Sequence, residues 1–254
     1  NESAVTVAKD GNVTAAGVGT ANVTVTCGGF SKTFTVTVDP ILAESVMLSK
    51  RRLELLLGAT ETLTATVKPD NTTDPTVTWT SSNEAVATVD NTGKVTAVAD
   101  GYAIITATCG NVSATCTVES CFSVVNADGV TIYYRTTSST APYTVEVTHK
   151  DESYNSYSGN VNIPNSVTKS GVTYSVTSIG YSAFEDCNDL TSVTIPNSVT
   201  EIGQSAFRNC TGIASINIPN SVTTFRAYAF YGCSTFTSFT IPNSVTSIGE
   251  GAFY

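Results

Sequence analysis

The single histidine of the chain, His149, lies in the segment VTHKDESY. Nucleophilic catalysis by a Ser–His or Cys–His arrangement needs a histidine beside the hydroxyl or thiol that it activates, so any such site here must use His149. No nucleophile motif stands near it, and its sequence neighbours are polar and typical of a hairpin. We therefore predict that His149 is a solvated surface residue.

Two pairs of adjacent acidic residues, Asp151/Glu152 and Glu185/Asp186, are the candidates for acid–base hydrolysis of a glycoside. That reaction needs two carboxyl groups that converge on one bond of the substrate. Neighbouring residues on a strand point to opposite faces, so neither pair should converge. We predict that the chain has no catalytic residues and is not an enzyme.

The loops PDNTTDP and EDCND are rich in the oxygen ligands that calcium prefers. Neither loop matches a calcium-binding pattern, and turns built on Asp and Asn side chains explain both sequences. The chain also lacks the CxxC spacing that is typical of zinc sites. We predict no metal site and no cofactor. The loop residues concerned are Asp70, Asn71, Asp74, Glu185, Asp186 and Asp189.

The composition favours strands and argues against several kinds of partner. Hydrophobic residues make up 41% of the chain, and Thr alternates with Val or Phe in stretches such as TFTVTV, which is the period of half-buried strands. We therefore predict a mostly β protein. The formal net charge of −9 argues against a nucleic-acid partner, and no apolar run reaches the roughly 18 residues that a membrane helix needs. The basic cluster Lys50–Arg52 is predicted to be a solvated turn.

A step of 82 residues relates two parts of the chain. Of the first 36 residues, 18 are identical to the residue 82 positions later, including the pairs Gly11/Gly93 and Cys27/Cys109. The complete copy runs from about Val46 to Val118, and the first copy lacks its front half. Seven short runs of strand-forming residues, separated by turn clusters, predict a β-sandwich for the complete copy. The runs are SVMLS, ETLTATVKP, TVTWTSS, AVATVD, KVTAVA, AIITATC and SATCTV.

The run VTWTSSNEAVATVDNTGKVTAVADGYAIITAT resembles the bacterial immunoglobulin-like domain, group 2. The resemblance covers nearly the whole module and implies an extracellular spacer or the stalk of an adhesin. Residues 1–39 accordingly resemble the C-terminal half of one Ig-like module, and residues 43–118 resemble a complete module.

A step of 23 residues governs the C-terminal part. The phrase IPNSVT recurs at Ile195, Ile218 and Ile241, and an earlier copy at Ile163 lies 32 residues before Ile195, which indicates a nine-residue insertion. A fixed period of this length is typical of a solenoid, in which neighbouring units stack and share one core. The spacing of apolar residues in LTSVTIP, IASINIP and FTSFTIP predicts leucine-rich-repeat strands whose apolar side chains point inward.

Residues 163–254, with the pattern IGxxAFxxCxxLxxxxIP, resemble the BspA-like leucine-rich repeats of bacterial surface proteins. Residues 121–162 resemble the β cap that opens such arrays. The predicted fold is therefore mostly β, with Ig-like β-sandwich modules followed by a β-capped leucine-rich-repeat solenoid. We expect a domain boundary at about residues 118–122.

The odd number of cysteines, seven, leaves at least one unpaired in a monomer. Strand alternation predicts that Val23, Val25 and Cys27 face the core, as do Ile105, Ala107 and Cys109 in the second copy. Cys116 is also predicted to face inward, and Phe34 takes its place in the first copy, which indicates a packing role. A disulfide between Cys109 and Cys116 remains an alternative. The 23-residue step predicts a buried column of thiols that donate to loop carbonyls, formed by Cys187, Cys210 and Cys233.

The two resemblances imply a non-catalytic, exported protein of the bacterial cell surface. Its repeat array would bind a host matrix protein, another bacterial surface protein or a glycan, with the Ig-like modules as a stalk. The alternative is a purely structural spacer region of a larger cell-surface protein or carbohydrate-active enzyme. The incomplete first module and last repeat should expose apolar surface, which predicts either self-association through one end or disorder of the first segment.

Residues between the inward apolar positions of the repeat strands should face the concave side of the solenoid and form a binding face. They are small, hydroxyl-rich and uncharged, although Thr and Ser also suit exposed strand positions without any ligand. A competing site is the edge with the aromatic and charged residues Phe225, Arg226, Tyr228 and Tyr231. The face comprises Thr191, Ser192, Thr194, Ala214, Ser215, Asn217, Thr237, Ser238 and Thr240.

Overall fold

The computed structural model describes residues 2–151 and 153–254, and these residues form strands, turns and bends without a helix. Thr, Val and Ile have branched side chains that fit a pleated sheet, which accounts for this outcome. The prediction of a mostly β protein is confirmed. The chain divides into two compact units, the first comprising the segment up to Met47, Ala65–Thr78 and Ala107–Ala114, and the second Leu48–Thr64, Trp79–Thr106 and Thr115–Tyr254.

The first unit contains a long antiparallel hairpin, paired from Gly19↔Val38 to Cys27↔Phe30. A small cluster of Ala4, Val5, Ala21 and Val23 is buried beside the start of the hairpin. The prediction that Val25 and Cys27 face a core is wrong, because both are exposed near the hairpin tip, beyond the reach of that cluster. The strands are β1 (Val5–Val7), β2 (Val13–Ala15), β3 (Gly19–Cys27) and β4 (Phe30–Val38).

The complete module contains nine strands, and Leu53, Leu63 and Ile105 are fully buried in a hydrophobic cluster of the second unit. Cys109 and Cys116 are buried as predicted, and the thiol of Cys109 donates to the carbonyl of Asp74 at 3.4 Å. The strands are β5 (Ser45–Leu48), β6 (Arg52–Leu56), β7 (Thr60–Thr62), β8 (Ala65–Lys68), β9 (Thr78–Ser81), β10 (Ala87–Val89), β11 (Lys94–Ala97), β12 (Gly101–Cys109) and β13 (Val112–Val125).

The predicted boundary at residues 118–122 falls inside β13, a single strand of 14 residues. Residues Thr117–Cys121 of β13 pair in parallel with β6, and Phe122–Val125 pair antiparallel with the next strand. Residues 117–121 and 122–125 thus belong to one uninterrupted strand, in which Val118 joins one hydrophobic cluster and Phe122 joins another. The position of the domain boundary stays a prediction.

The C-terminal part of the second unit begins with strands that pair both in parallel and antiparallel. The 23-residue step then appears as a parallel ladder in which Glu201, Thr224 and Ser247 are successive partners. The strands are β14 (Thr131–Ser138), β15 (Thr144–Thr148), β16 (Gly159–Asn162), β17 (Ser166–Lys169), β18 (Val172–Ile179), β19 (Leu190–Thr194), β20 (Glu201–Ile202), β21 (Thr224–Phe225) and β22 (Ser247–Ile248).

Two columns of identical side chains fill the core of the repeats. The rings of Phe184 and Phe207, and of Phe207 and Phe230, stack nearly parallel with centroids 5.0 and 5.4 Å apart. Beside them, Cys210 donates to the carbonyl of Phe184 at 3.0 Å and Cys233 to that of Phe207 at 2.9 Å, while Cys187 donates to the carbonyl of Tyr154 at 3.7 Å. The predicted column of thiols that donate to carbonyls is confirmed, with Cys187 and Cys210 buried and Cys233 half-buried. Burial raises the pKa of Cys187 and Cys233 to about 11, so these thiols stay protonated at neutral pH.

Candidate binding face of the repeat array

The residues of the predicted binding face are all exposed, as the alternation of apolar and polar positions requires. Between them, Val193 and Ile195 of one repeat are buried, as are Ile216 and Ile218 of the next. The exposed set is Thr191, Ser192, Thr194, Ala214, Ser215, Asn217, Thr237, Ser238 and Thr240. In the last repeat the alternation weakens, since Ile241 is 44% exposed.

Backbone pairing aligns this face in register at its beginning. The parallel pair β16 and β19 sets Asn160 beside Ser192 and Asn162 beside Thr194, and a single bridge joins Thr194 to Asn217. The prediction that IASINIP and FTSFTIP form regular strands is wrong. Backbone contact continues there through isolated hydrogen bonds, such as that from the Thr237 amide to the Ala214 carbonyl, while the regular ladder runs along the other edge, through β20 to β22.

Asn160 is a residue of this face that the sequence prediction missed. Its side-chain oxygen accepts hydrogen bonds from Thr191 Oγ1 at 2.7 Å and from Ser192 Oγ at 2.8 Å. The nine-residue insertion after Ile163 hides the equivalence, because Asn160 lies 32 residues before Ser192 instead of 23. Aligning the chain with that longer step would have found it.

A groove of about 540 Å³ lies on the face and brings four of the predicted residues together. These are Ser215, Asn217, Ser238 and Thr240, and the amides of Asn197 and Asn220 join them. The other five residues of the face lie outside its lining, namely Thr191, Ser192, Thr194, Ala214 and Thr237. Hydroxyl and amide groups both donate and accept hydrogen bonds, so the groove suits an uncharged polar ligand.

The competing edge differs from its prediction in one residue. Phe225 is fully buried in the repeat core and is not available as a surface anchor. Arg226 is exposed, and its Nε and Nη2 donate to the two carboxylate oxygens of Glu201 at 2.8 and 2.9 Å. The rings of Tyr228 and Tyr231 meet edge to face, with centroids 5.8 Å apart, and both line a second pocket.

The prediction that His149 is solvated is wrong, because only 1% of the residue is exposed. Its Nε2 contacts Glu54 Oε2, and Glu54 Oε1 lies 2.7 Å from Nη2 of Arg52. Glu119 lies 3.0 Å from the Arg52 guanidinium and 3.1 Å from that of Arg135. These charges come from β6, β13, β14 and the segment after β15, so the network ties together segments that are distant in the sequence.

Opposing forces act on the carboxyl groups of this network. Burial alone would raise the pKa of Glu54, but the hydrogen bond and charge of His149 and the guanidiniums of Arg52 and Arg135 outweigh burial and lower that pKa. At Glu146, which lies 3.2 Å from Arg135, burial prevails and raises the pKa. A substrate cannot reach a histidine with this exposure, so the network is structural. Sequence patterns could not reveal it, because Glu54 and His149 lie 95 positions apart.

The acidic residues considered for catalysis and metal binding have separate partners. Glu185 contacts the Ser182 hydroxyl and lies 2.8 Å from Nη1 of Arg208, whereas Asp186 accepts from the side-chain amide of Asn209 at 2.8 Å. Glu152, of the other acidic pair, lies outside the described residues. Within residues 2–151 and 153–254, the structure has no cluster of three or more His, Cys, Asp or Glu side chains arranged to hold a metal. The described part also contains no helix long and apolar enough to cross a membrane.

A β module with its own core, followed by stacked 23-residue repeats on shared Phe and Cys columns, defines the class as a repeat protein joined to a β-sandwich module. Comparison with known proteins gives the families. Residues 43–120 match the bacterial Ig-like domain (group 2), and residues 154–254 match the BspA type leucine rich repeat region, with six copies. Both domain types are typical of cell-surface or secreted bacterial proteins, and both are typically non-catalytic.

Individual relatives share only parts of the chain. An uncharacterized protein of Clostridium acetobutylicum is 43% identical over 95 residues, which are 36% of this chain and 10% of the relative. Lacto-N-biosidase of Bifidobacterium bifidum is 58% identical over 59 residues, 23% of this chain and 5% of that enzyme. A crystal structure of a leucine-rich repeat protein from Bacteroides ovatus is 42% identical, with a TM-score of 0.41, covering 46% of this chain and 30% of the other.

Proposed function

We propose that this chain is a non-catalytic module of the bacterial surface, which binds a partner through the exposed face of its repeats and uses its Ig-like modules as a stalk. The partner is a host matrix protein, another bacterial surface protein or a glycan. The observation that carries the proposal is the polar groove, because it brings hydroxyl and amide side chains from successive repeats into one concave surface.

The chemistry of this face predicts its mode of binding. It lacks the aromatic and arginine anchors that usually dominate tight interfaces, so each contact should be weak. A repeated face on a cell surface gains overall affinity from many simultaneous contacts, without any new contact chemistry. The hydrogen bonds of Asn160 to Thr191 and Ser192 hold part of the face in place before a partner arrives.

The test replaces the central column of the face with acidic residues, in the triple variant S192E/S215E/S238E. A protein and glycan array first identifies a ligand of the wild-type chain. Retention of that ligand should then fall by about tenfold or more, since three buried and unpaired carboxylates oppose the interface. Surface plasmon resonance on the array ligand measures the change.

The matched control is the variant T200E/T223E/T246E. These threonines are also exposed and follow the same 23-residue step, but they do not line the groove. This control should retain the ligand. Unchanged binding by the folded S192E/S215E/S238E variant would move the binding site away from this face.

A second candidate function is that of a spacer in a larger enzyme. The observation that favours it is the 58% identity with a short part of lacto-N-biosidase, whose name describes a glycosidase. In that case the array yields no ligand, and a gene that encodes a catalytic domain in the same chain would support the spacer.

A further inference from the structure

We propose that a pocket at the competing edge of the repeats, distinct from the polar groove, binds a neutral pyranose ring of a glycan. The pocket has a volume of about 350 Å³, which lies within the range of small-molecule sites. We call it the tyrosine pocket. Its lining residues are Tyr181, Gln204, Ser205, Arg208, Tyr228 and Tyr231.

The pocket spans three successive repeats. Tyr181 comes from one repeat, Gln204, Ser205 and Arg208 from the next, and Tyr228 from the third. Neighbouring chains in a parallel ladder lie about 4.8 Å apart, so two steps separate Tyr181 from Tyr228 by roughly 10 Å of backbone. That distance leaves room for one six-membered sugar ring between the tyrosines, above the shorter side chains of the middle repeat.

The copies differ from one another at the positions that line this pocket. Two core columns repeat without change, with Phe at 184, 207 and 230 and Cys at 187, 210 and 233. Gln204 is the equivalent of Tyr181 in the next copy. Glu185, Arg208 and Tyr231 occupy one equivalent position in three successive copies. The stacking of the repeats requires the core residues, but it does not require three different residues at one surface position.

Tyr228 adopts a backbone conformation that a bulky residue rarely takes. Its φ is +58°, in the left-handed region, where a large side chain is a genuine outlier. The equivalent positions hold the small residues Ser182, Ser205 and Gly251, with φ between +49° and +59°. Strained residues of this kind cluster at binding sites, because the surrounding structure maintains them for function. An aromatic ring at this position thus serves the pocket and is not needed for the turn.

The hydrogen-bonding groups of the pocket match sugar hydroxyls. Gln204 supplies both a donor and an acceptor, and tyrosine hydroxyls do the same. In the first of these repeats, the Ser182 hydroxyl donates a hydrogen bond to Glu185. In the next repeat, the equivalent pair is Ser205 and Arg208, and a guanidinium cannot accept a hydrogen bond. The Ser205 hydroxyl is therefore available to a ligand. The rings of Tyr181 and Tyr228 offer flat apolar surface to the C–H groups of a pyranose, whereas the Tyr231 ring already stacks on Tyr254 with centroids 5.5 Å apart.

The charge balance favours a neutral ligand. The one positive charge of the lining is Arg208, and Glu185 lies 2.8 Å from its Nη1. The same guanidinium lies 5.6 Å from the ring centroid of Tyr231, so its position is fixed from two sides. With its charge compensated, Arg208 acts as a hydrogen-bond donor to hydroxyls and not as an anchor for a carboxylate or phosphate.

The experiment is saturation-transfer NMR on the full chain with methyl glycosides of glucose, galactose, mannose and N-acetylglucosamine, and with N-acetylneuraminic acid as a charged comparison. We expect transfer to the ring C–H protons of at least one neutral pyranoside. Tyr228→Ser, which installs the residue of the two preceding copies, should weaken binding about tenfold, as should Tyr181→Gln. The matched control Tyr102→Ser removes an exposed tyrosine from β12 and should leave binding unchanged.

Three results would overturn the proposal. The first is no transfer from any neutral pyranoside to the folded wild-type protein, and the second is equal binding by Tyr228→Ser. The third is binding of N-acetylneuraminic acid alone, which would indicate an anion site. The S192E/S215E/S238E variant should still bind the pyranoside, so a failure of the polar groove and a failure of the tyrosine pocket are distinguishable.

Discussion

Glu54 and His149 show how a buried charge depends on partners that no local pattern contains. On β6 the sequence Arg-Leu-Glu-Leu-Leu looks half-exposed, yet Leu53, Glu54 and Leu55 are all buried. Glu54 tolerates burial because Arg52 compensates its charge and His149 contacts its carboxylate. Burying an ion pair is not itself strongly stabilising, but removing one partner leaves the other charge without compensation.

We predict that Glu54→Gln lowers the free energy of unfolding by about 3 kcal/mol at pH 7, because Arg52 loses its counter-charge and His149 loses its carboxylate partner. Urea denaturation followed by circular dichroism measures it. The control Glu61→Gln breaks an exposed ion pair with Lys50, 2.7 Å long, and should change the free energy by less than about 1 kcal/mol. An equal effect of both substitutions would contradict the buried network.

The pH dependence of the same variant follows from the lowered pKa of Glu54. A carboxyl group whose pKa is lower in the folded state stabilises above its ordinary pKa, and that contribution disappears as the pH falls through the folded value. The difference between wild type and Glu54→Gln should therefore be largest near neutral pH and should shrink below the ordinary value of 4.5. Glu146, whose pKa is raised, is common to both proteins, so its opposite effect cancels in the difference.

At the scale of the elements, the two copies of the Ig-like module offer a comparison inside one chain. Gly11 and Gly93 occupy equivalent positions and have φ of +87° and +82°, where residues with a Cβ are strained. A Cβ on Gly93 would lie 2.8 Å from Cζ2 of Trp79 and would also meet the carbonyl of Leu63, whereas a Cβ on Gly11 would meet nothing within 4 Å. The same turn is therefore packed in the complete module and open in the first.

We predict that Gly93→Ala lowers the stability of the complete module by about 3 kcal/mol, from backbone strain together with the overlap against Trp79 and Leu63. The fluorescence of Trp79, the single tryptophan of the chain, reports its unfolding in urea. Gly11→Ala is the matched control. It introduces backbone strain without a steric overlap, and Gly11 lies in the other compact unit, so the unfolding midpoint reported by Trp79 should not change. A shifted midpoint in the control would contradict this account.

The sequence predicted the elements that depend on local alternation and failed where long-range pairing decides. Alternation located β9 to β12, and the 23-residue step predicted the thiol column. The strand β6 was missed, because its pairing with β13 joins Arg52 to Thr117 across 65 positions. In the later repeats, the apolar spacing predicted inward side chains correctly at Ile216 and Ile218, but it does not decide whether the backbone forms a ladder there.

The candidate site was also predicted where local alternation decides and missed where long-range packing decides. The exposure of all the predicted face residues followed from the repeat, while Asn160 escaped because an insertion displaced it. Phe225 was predicted to be exposed because it stands beside Arg226 and Tyr228, whose side chains end in polar groups. It is instead fully buried in the repeat core. The groove depends on how loops of two repeats approach each other, and sequence spacing does not contain that information.

For the whole molecule, the position of proteolytic cleavage follows from exposure and pairing. Residues 39–44 form no strand, and Asp39, Pro40, Ile41 and Leu42 are exposed. At 118–122 the chain lies within β13, where Ser120 is fully buried and Cys121 is nearly so. Proteases cleave segments that can unfold locally, so the exposed segment is the better substrate.

We predict that brief digestion with thermolysin cuts within residues 39–44 and leaves a fragment that extends from there to Tyr254. Mass spectrometry identifies the new N terminus. A stable fragment that begins near Cys121 would instead support the boundary expected from the change of repeat length, and would show that the pairing of β6 with β13 opens readily.

The parallel ladder has a consequence for the gene. Glu201, Thr224 and Ser247 are partners because each lies one 23-residue step from the next, and the Phe and Cys columns use the same step. Unequal crossing-over that removes or adds one whole repeat would preserve the reading frame and every pairing outside the exchange. The number of repeats can therefore change between strains without a loss of folding. Selection can then act on the length of the array separately from the residues on its surface.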